Sequence, residues 1–299
     1  MKRLQTLCTL ILAGAAALQA QPEIHVGQAT AAMSRGEKPA FTATLQDAVL
    51  DDAEKVLKDH MKDYKGKWTG NSKSEIFVDD ATIKAMSDNT VDVYVKLFQA
   101  SKDVKIVAFF DLGGAYVSAE THPEAAKTAE ALVRDYVMHY YRVRTEQELD
   151  AAEDQLKDLE KALDGLVKDN EKRQKDIGSL ERDIERARQD IAQNETDQDR
   201  QRAEIETQKD VIVKLSGAPE DQEKDAQKIL KGMEKDLDKL EKEHEKMHQS
   251  IADAQSSISE HEREIEKTER DIKEQEKAIK AQKDAVREIE SRLAAFPKR

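Results

Sequence analysis

The chain has 299 residues, and 62 acidic against 49 basic side chains give it a formal charge of -13, with charged residues at 37% and aromatics at 4%. An acidic surface repels phosphate backbones, which excludes nucleic acid as an expected partner. The scarcity of aromatics excludes one large globular core, and no Phe, Tyr or Trp lies between Tyr141 and Phe296.

Residues 1–20 have the pattern of a secretory signal peptide. Lys2 and Arg3 precede a mostly apolar run from Leu4 to Leu18, and Ala20 is the expected cleavage point. That run is shorter than the roughly 20 apolar residues needed to span a bilayer, so no membrane span is expected in the mature chain. The only cysteine, Cys8, falls inside the leader, which leaves the remainder without disulfide or thiol chemistry. The expected address is periplasmic or extracellular.

The stretch 21–141 reads as a small globular head. Phe41, Ala43 and Leu45 alternate with Thr42 and Thr44, the period of a half-buried strand, and Ile24 to Met33 is its expected hairpin partner through Ser34-Arg35-Gly36. A helix is predicted over 47–64, with Asp47 as its cap and Val49, Ala53, Val56, Leu57, His60 and Tyr64 on one face. Lys67–Thr69 and Glu75–Val78 are predicted strands flanking a Gly70-Asn71 turn. Val91, Val93, Val95 and Leu97 alternate with polar neighbours, and Val104 to Leu112 follows across a Ser101-Lys102-Asp103 turn. Gly113-Gly114 then breaks the chain. The order of elements is loosely similar to a ferredoxin-type fold with extra strands.

A long helix is expected to start near Thr121 with Pro123 in its first turn. Ala129, Leu132, Val133, Tyr136, Val137 and Tyr140 form its apolar stripe, placed to cover the sheet. From residue 142 the spacing becomes that of a coiled-coil seam. Leu149, Leu156, Leu163, Ile177, Ile184, Ile191, Ile205 and Ile212 recur in one unbroken phase, and so do Leu230, Leu237, Ile251, Ile258, Ile265, Ile272, Ile279 and Val286. Ser216, Gly217, Ala218 and Pro219 separate the two runs and form the expected tip. Folding back there sets Ile205 opposite Leu230, Asn194 opposite Leu240, Arg173 opposite His261 and Leu149 opposite Val286.

The fold expected is therefore α+β. A small antiparallel-sheet head with two packed helices is followed, over 142–299, by a long antiparallel two-helix coiled-coil hairpin. Its seam is not uniformly apolar: Arg173, Asn194, Gln198, Gln201, His244 and His261 occupy core positions. Polar core residues cost stability and can set register.

No catalytic, cofactor-binding or metal residue is expected. His244-Glu245-Lys246-Met247-His248 fits the H-E-x-x-H spacing of zinc proteases, but two of its residues lie on the seam and no cleft for a peptide accompanies them. His25, His60, His122 and His139 are expected at the surface or at helix ends. Asp79, Asp80 and Asp111 lack the ligand density of a calcium loop and read as turn or strand-end residues.

A small body bearing long helical hairpins is similar in layout to the Skp/OmpH chaperones, and that resemblance implies a periplasmic holdase. Those chaperones place strands at both ends of a shorter hairpin, whereas here every strand comes first. The arms of SMC-type ATPases are also similar, but no G-x-x-x-x-G-K-[ST] loop occurs. The function expected is that of an exported, non-enzymatic interaction or scaffold protein, whose partner is another protein or a second copy joined through the coiled coil. The alternatives are a holdase and an enzyme with its site in the head.

Overall fold

The structure is a computed structural model and describes residues 24–72, 75–217 and 219–297. The leader with Cys8, and Ala218 of the tip, lie outside these residues. Strands β1 (Gly27–Met33) and β2 (Gly36–Leu45) come first, then helix α1 (Leu50–Met61) with a short 3-10 turn over Lys62–Tyr64. Strands β3 (Lys67–Ser72), β4 (Glu75–Ala81), β5 (Val91–Ala100) and β6 (Asp103–Asp111) follow, and then helices α2 (Pro123–Lys214) and α3 (Glu220–Ala294). No helix among the described residues is long and apolar enough to cross a membrane.

The chain divides into two compact units. The first holds the described residues up to Leu156 together with those from Ala281 onward, and the second is Lys157–Lys280.

In the first unit the strands form one sheet in the order β1-β2-β6-β5-β4-β3, antiparallel at every step. This is a meander closed by one crossover through α1, not the interleaved order of a ferredoxin-type fold. Alternation decides which face is buried. Phe41, Val93, Val95, Ile106 and Phe110 point to the helix-covered side, where Ala129, Val133, Tyr136 and Val137 of α2 and Ala53 and Leu57 of α1 complete the main core. The Tyr136 hydroxyl donates to the Ala53 carbonyl at 2.7 Å and ties the two helices together. On the opposite face Met33, Ala40, Tyr94 and Phe109 form a smaller cluster.

Several local expectations are corrected. Asp47 does not cap α1: it stands at φ 48, and Val49 occupies the N-cap position without a side-chain bond. The amide of Gln99 on β5 does that work, accepting from the Leu50 N–H at 3.1 Å and donating to the Ala48 carbonyl at 2.9 Å. Val49 leaves the apolar face and is 57% exposed. Gly70 and Asn71 are not a turn but part of β3, where the ladder slips between Thr69 and Asn71. Gly66 is required by close approach, since a Cβ there would meet Val78 Cγ1 at 2.5 Å and the Ala81 backbone at 3.1 Å.

In the second unit α2 and α3 pack against each other and run in opposite directions. Gln201 donates to the Met233 carbonyl and Gln208 to the Ala226 carbonyl, each at 3.1 Å. These bonds straddle the expected Ile205–Leu230 pairing. Farther along, Gln275 donates to the Leu159 carbonyl at 2.9 Å. In the first unit Gln282 donates to the Ala152 carbonyl at 2.8 Å, and Arg292 pairs with Glu148 at 2.8 Å. Gly217 takes φ 94 where the chain leaves α2.

Candidate functional site

Two groups of side chains stand out, one in each unit. The first is a cleft between α1 and the opening turns of α2. His60 falls on the buried stripe of α1, one turn after Val56, so the amphipathic period that builds the core carries an imidazole inward with it. It is 1% exposed and packs against Tyr64, Tyr136 and His139, with its ring centroid 5.8 Å from that of His139. His139 Nε2 lies 3.6 Å from Asp59 Oδ2. The Lys62 ammonium, which hydrogen-bonds Asp59 at 2.9 Å, holds the Asp59 carboxyl below its ordinary range; burial opposes the shift and His139 assists it. A cavity of about 290 Å³ opens here beside His60, Asp63, Asp135, His139 and Phe296. His139 also borders a wider groove of about 610 Å³ lined by Val49, Lys55 and Arg144. His60 stands in the last turn of α1, a helix-end place as expected, and on the expected face; His139, within α2 and 13% exposed, is the one that departs from a surface or helix-end place. Each falls on a helix stripe that faces the core, and the fold brings them together.

The second group is the polar stretch of the seam. Asn194 and Gln198 are 7% and 6% exposed, and Gln198 donates to Asn194 Oδ1 at 2.7 Å. Arg202 donates to Gln198 Oε1 at 2.8 Å and reaches across to Glu241 Oε1 at 3.1 Å. Positions 194, 198 and 202 are successive turns of one helix, so one bond hands on to the next along a single face. Across the seam His244 Nε2 lies 3.3 Å from Glu195 Oε1, and the His248 ring sits 4.6 Å from that of His244. Of the residues named from the sequence, Gln201 and His244 reach the facing helix, Asn194 and Gln198 are buried, and Arg173 is half-buried with an Nε that has no hydrogen-bond partner. His261 is half-buried as well. The sequence reading missed Arg202, Glu195 and Glu241. The four-residue spacing from Asn194 through Gln198 to Arg202 was the available signal.

At the tip Ser216 and Gly217 form the turn, and the Pro219 carbonyl accepts from the Gln222 N–H at 2.9 Å as α3 begins. Val213, in the last turn of α2, and Ile229, in the third turn of α3, are 73% and 53% exposed.

Among the acidic residues weighed for calcium, Asp79 and Asp80 gather with Asp92. Asp111 lies apart from them in role. It is buried, pairs with Arg35 at 3.5 Å and accepts from the Gly113 and Gly114 N–H groups.

No known protein family matches the chain, and no curated protein does. Among solved structures, CalU16 from Micromonospora echinospora aligns at 12% identity over 39% of this chain and 82% of its own, with a TM-score of 0.25. Nothing about function is transferred at that level of superposition.

Proposed function

We propose that the chain is an exported, non-enzymatic interaction protein in which α2 and α3 form an antiparallel coiled-coil hairpin that spaces or docks a protein partner in the cell envelope. The observation that carries this reading is the seam. Glutamines seven residues apart on each helix, Gln201 and Gln208 on α2 and Gln275 and Gln282 on α3, all donate to carbonyls of the facing helix. Such bonds hold one alignment of two helices that bury little besides their contact line. The surfaces left over carry mixed charge suited to water. Val211, Val213 and Ile229, in the closing turns of α2 and the third turn of α3, are exposed apolar residues and the favoured docking point.

The test places a photo-crosslinking amino acid at Val213 or Ile229 in cells expressing the full chain. A discrete adduct with another protein, absent when the probe sits at the charged Glu269, supports the reading. Adducts of equal yield from both positions, or none, overturn it. Light scattering on the processed chain separates a second copy as partner from a foreign one. Suppression of outer-membrane protein aggregation would move the assignment to a holdase.

A second reading rests on the histidine cleft, which has the concavity of a small-molecule site in the first unit. Loss of a ligand-dependent stability shift in His139→Ala, with the crosslinks intact, would favour it.

A further inference from the structure

The geometry points to a transition-metal site between α2 and α3, formed by His244, His248 and Glu195. The two imidazoles come from consecutive turns of one helix face, the spacing at which side chains meet. Their rings are 4.6 Å apart and meet edge to face at 64°. The ligand atoms of the three residues are not gathered as those of Asp79, Asp80 and Asp92 are, so an ion would have to draw His248 in by rotation about its side-chain bonds. The third group comes from the other helix. His244 Nε2 and Glu195 Oε1 are 3.3 Å apart. Zinc bonds nitrogen and carboxylate oxygen at about 2.0–2.2 Å, and two tetrahedral ligands on such bonds stand about 3.3 Å from each other. The existing hydrogen bond therefore already has the length of one edge of the coordination shell. An ion replacing its proton would need little movement of either helix there.

The ligand set selects the metal class. Two imidazoles and one carboxylate suit zinc, nickel or copper and are a poor match for magnesium or calcium, which take oxygen ligands. A fourth position is left for water. Catalysis of the zinc-protease type is no part of the proposal; Glu245, the general base of that pattern, is exposed on the helix.

What the ion would do follows from its neighbours. Glu195 stands directly beside Asn194 and one turn before Gln198 and Asp199, where buried polar side chains bond along α2 and Arg202 reaches across to Glu241. A metal bridging Glu195 to His244 and His248 ties the two helices at that stretch and raises its stability by mass action. The site is a staple for the weakest apolar part of the seam, and metal supply sets whether it is closed. It depends on the α2–α3 contact in the second unit and not on the docking role proposed above.

The experiment is thermal unfolding and isothermal titration of the processed full-length chain with zinc, and with nickel as a second probe. Saturating zinc is expected to raise the midpoint of the helical transition, with one ion bound per chain. The double variant H244A/H248A should lose that shift. Glu195→Gln should weaken zinc about tenfold while leaving the metal-free midpoint nearly unchanged, and magnesium should do nothing. If H244A/H248A folds to the same helicity and keeps the full zinc shift, the ion binds elsewhere and the proposal is overturned. Absence of any zinc shift in the unaltered chain overturns it as well. A crosslinking failure at Val213 leaves these results standing, so the two readings fail separately.

Discussion

The two units solve the same problem, excluding water from a chain, with different materials. In the sheet unit Phe41, Phe110, Val93, Val104 and Ile106 are almost wholly buried, and Phe41 meets Phe110 edge to face at 5.8 Å. In the helical unit the buried residues of α2 are few and mixed: Ile184, Ile191 and Ile205 lie at similar depth to Asn170, Asn194 and Gln198. A layered core gains stability from area and tolerates little change of shape. A two-helix seam buries less per residue, so hydrogen bonds that select one alignment carry more of its structural information.

The largest expected effect tests the dense core. Phe110→Ala removes a fully buried ring from the centre of the sheet. It is expected to destabilise the first unit by about 3–5 kcal/mol. Urea unfolding followed by Trp68, the one tryptophan, reads that unit alone. A loss below about 1 kcal/mol would mean that the sheet face is far looser than its burial indicates.

Glycine gives a second contrast, with opposite signs in the two units. Gly66→Ala forces a Cβ against Val78 and the Ala81 backbone, and overpacking of this kind costs about 1–3 kcal/mol. Gly232 sits within α3 with open space around its position. Gly232→Ala is expected to stabilise the helical unit by about 1 kcal/mol, because alanine restricts the unfolded chain and favours helix. Circular dichroism melts of the two variants should move in opposite directions. Movement in one direction would erase the distinction between a packed and a solvated backbone.

The seam bonds come next in size. Each of Gln201→Ala and Gln208→Ala is expected to cost about 1 kcal/mol. Replacing Gln201, Gln208 and Gln275 together by leucine should raise the melting midpoint and at the same time relax the alignment. Spin labels at the exposed positions Lys175 and Glu260 report this. The unaltered chain should give one short distance and the triple leucine variant a broad or multiple distribution. A single unchanged distance in the variant would show that apolar packing alone sets the register. A long distance in the unaltered chain would remove the hairpin itself.

What the sequence disclosed differs between the units for the same physical reason. Periodicity is a local signal, so the strand at Val91, Val93 and Val95 and the heptad spacing from Leu149 to Val286 were legible, including Gln201, a glutamine at core spacing that donates to the facing helix. Contacts that depend on a distant element were not. Gln99 caps α1 from another strand, which left Asp47 as the only visible candidate. The slip in β3 at Gly70 requires knowledge of β4, since in isolation glycine followed by asparagine reads as a turn. His60 and His139 each lie on an amphipathic stripe, but only the packing of α1 on α2 turns two separate imidazoles into a cleft. The seam bond between Arg202 and Glu241 likewise appears only when two charged faces are set side by side.

The smallest effect probes the second face of the sheet through proton binding. Tyr94 is 3% exposed, stacks on Phe77 at 4.6 Å and lies under the Arg35 guanidinium at 5.2 Å. Burial pushes its phenol up to about 12 from the ordinary 10.0; Arg35 opposes the shift and the Asp92 carboxylate adds to it. The folded state therefore holds the proton more tightly than the unfolded state does. Stability from this group is intact below pH 10 and declines as pH rises from about 10 towards 12, where the unfolded chain ionises first. Burial shifts Tyr116, Tyr136, Tyr140 and Tyr141 in the same direction, so the group must be isolated by difference. Absorbance at the phenolate band of the unaltered chain minus that of Tyr94→Phe should show one step near pH 12 while circular dichroism remains folded. A step near pH 10 would mean that water reaches the ring. The cluster of Met33, Ala40, Tyr94 and Phe109 would then resemble the solvated seam of the other unit more than the core on its own opposite face.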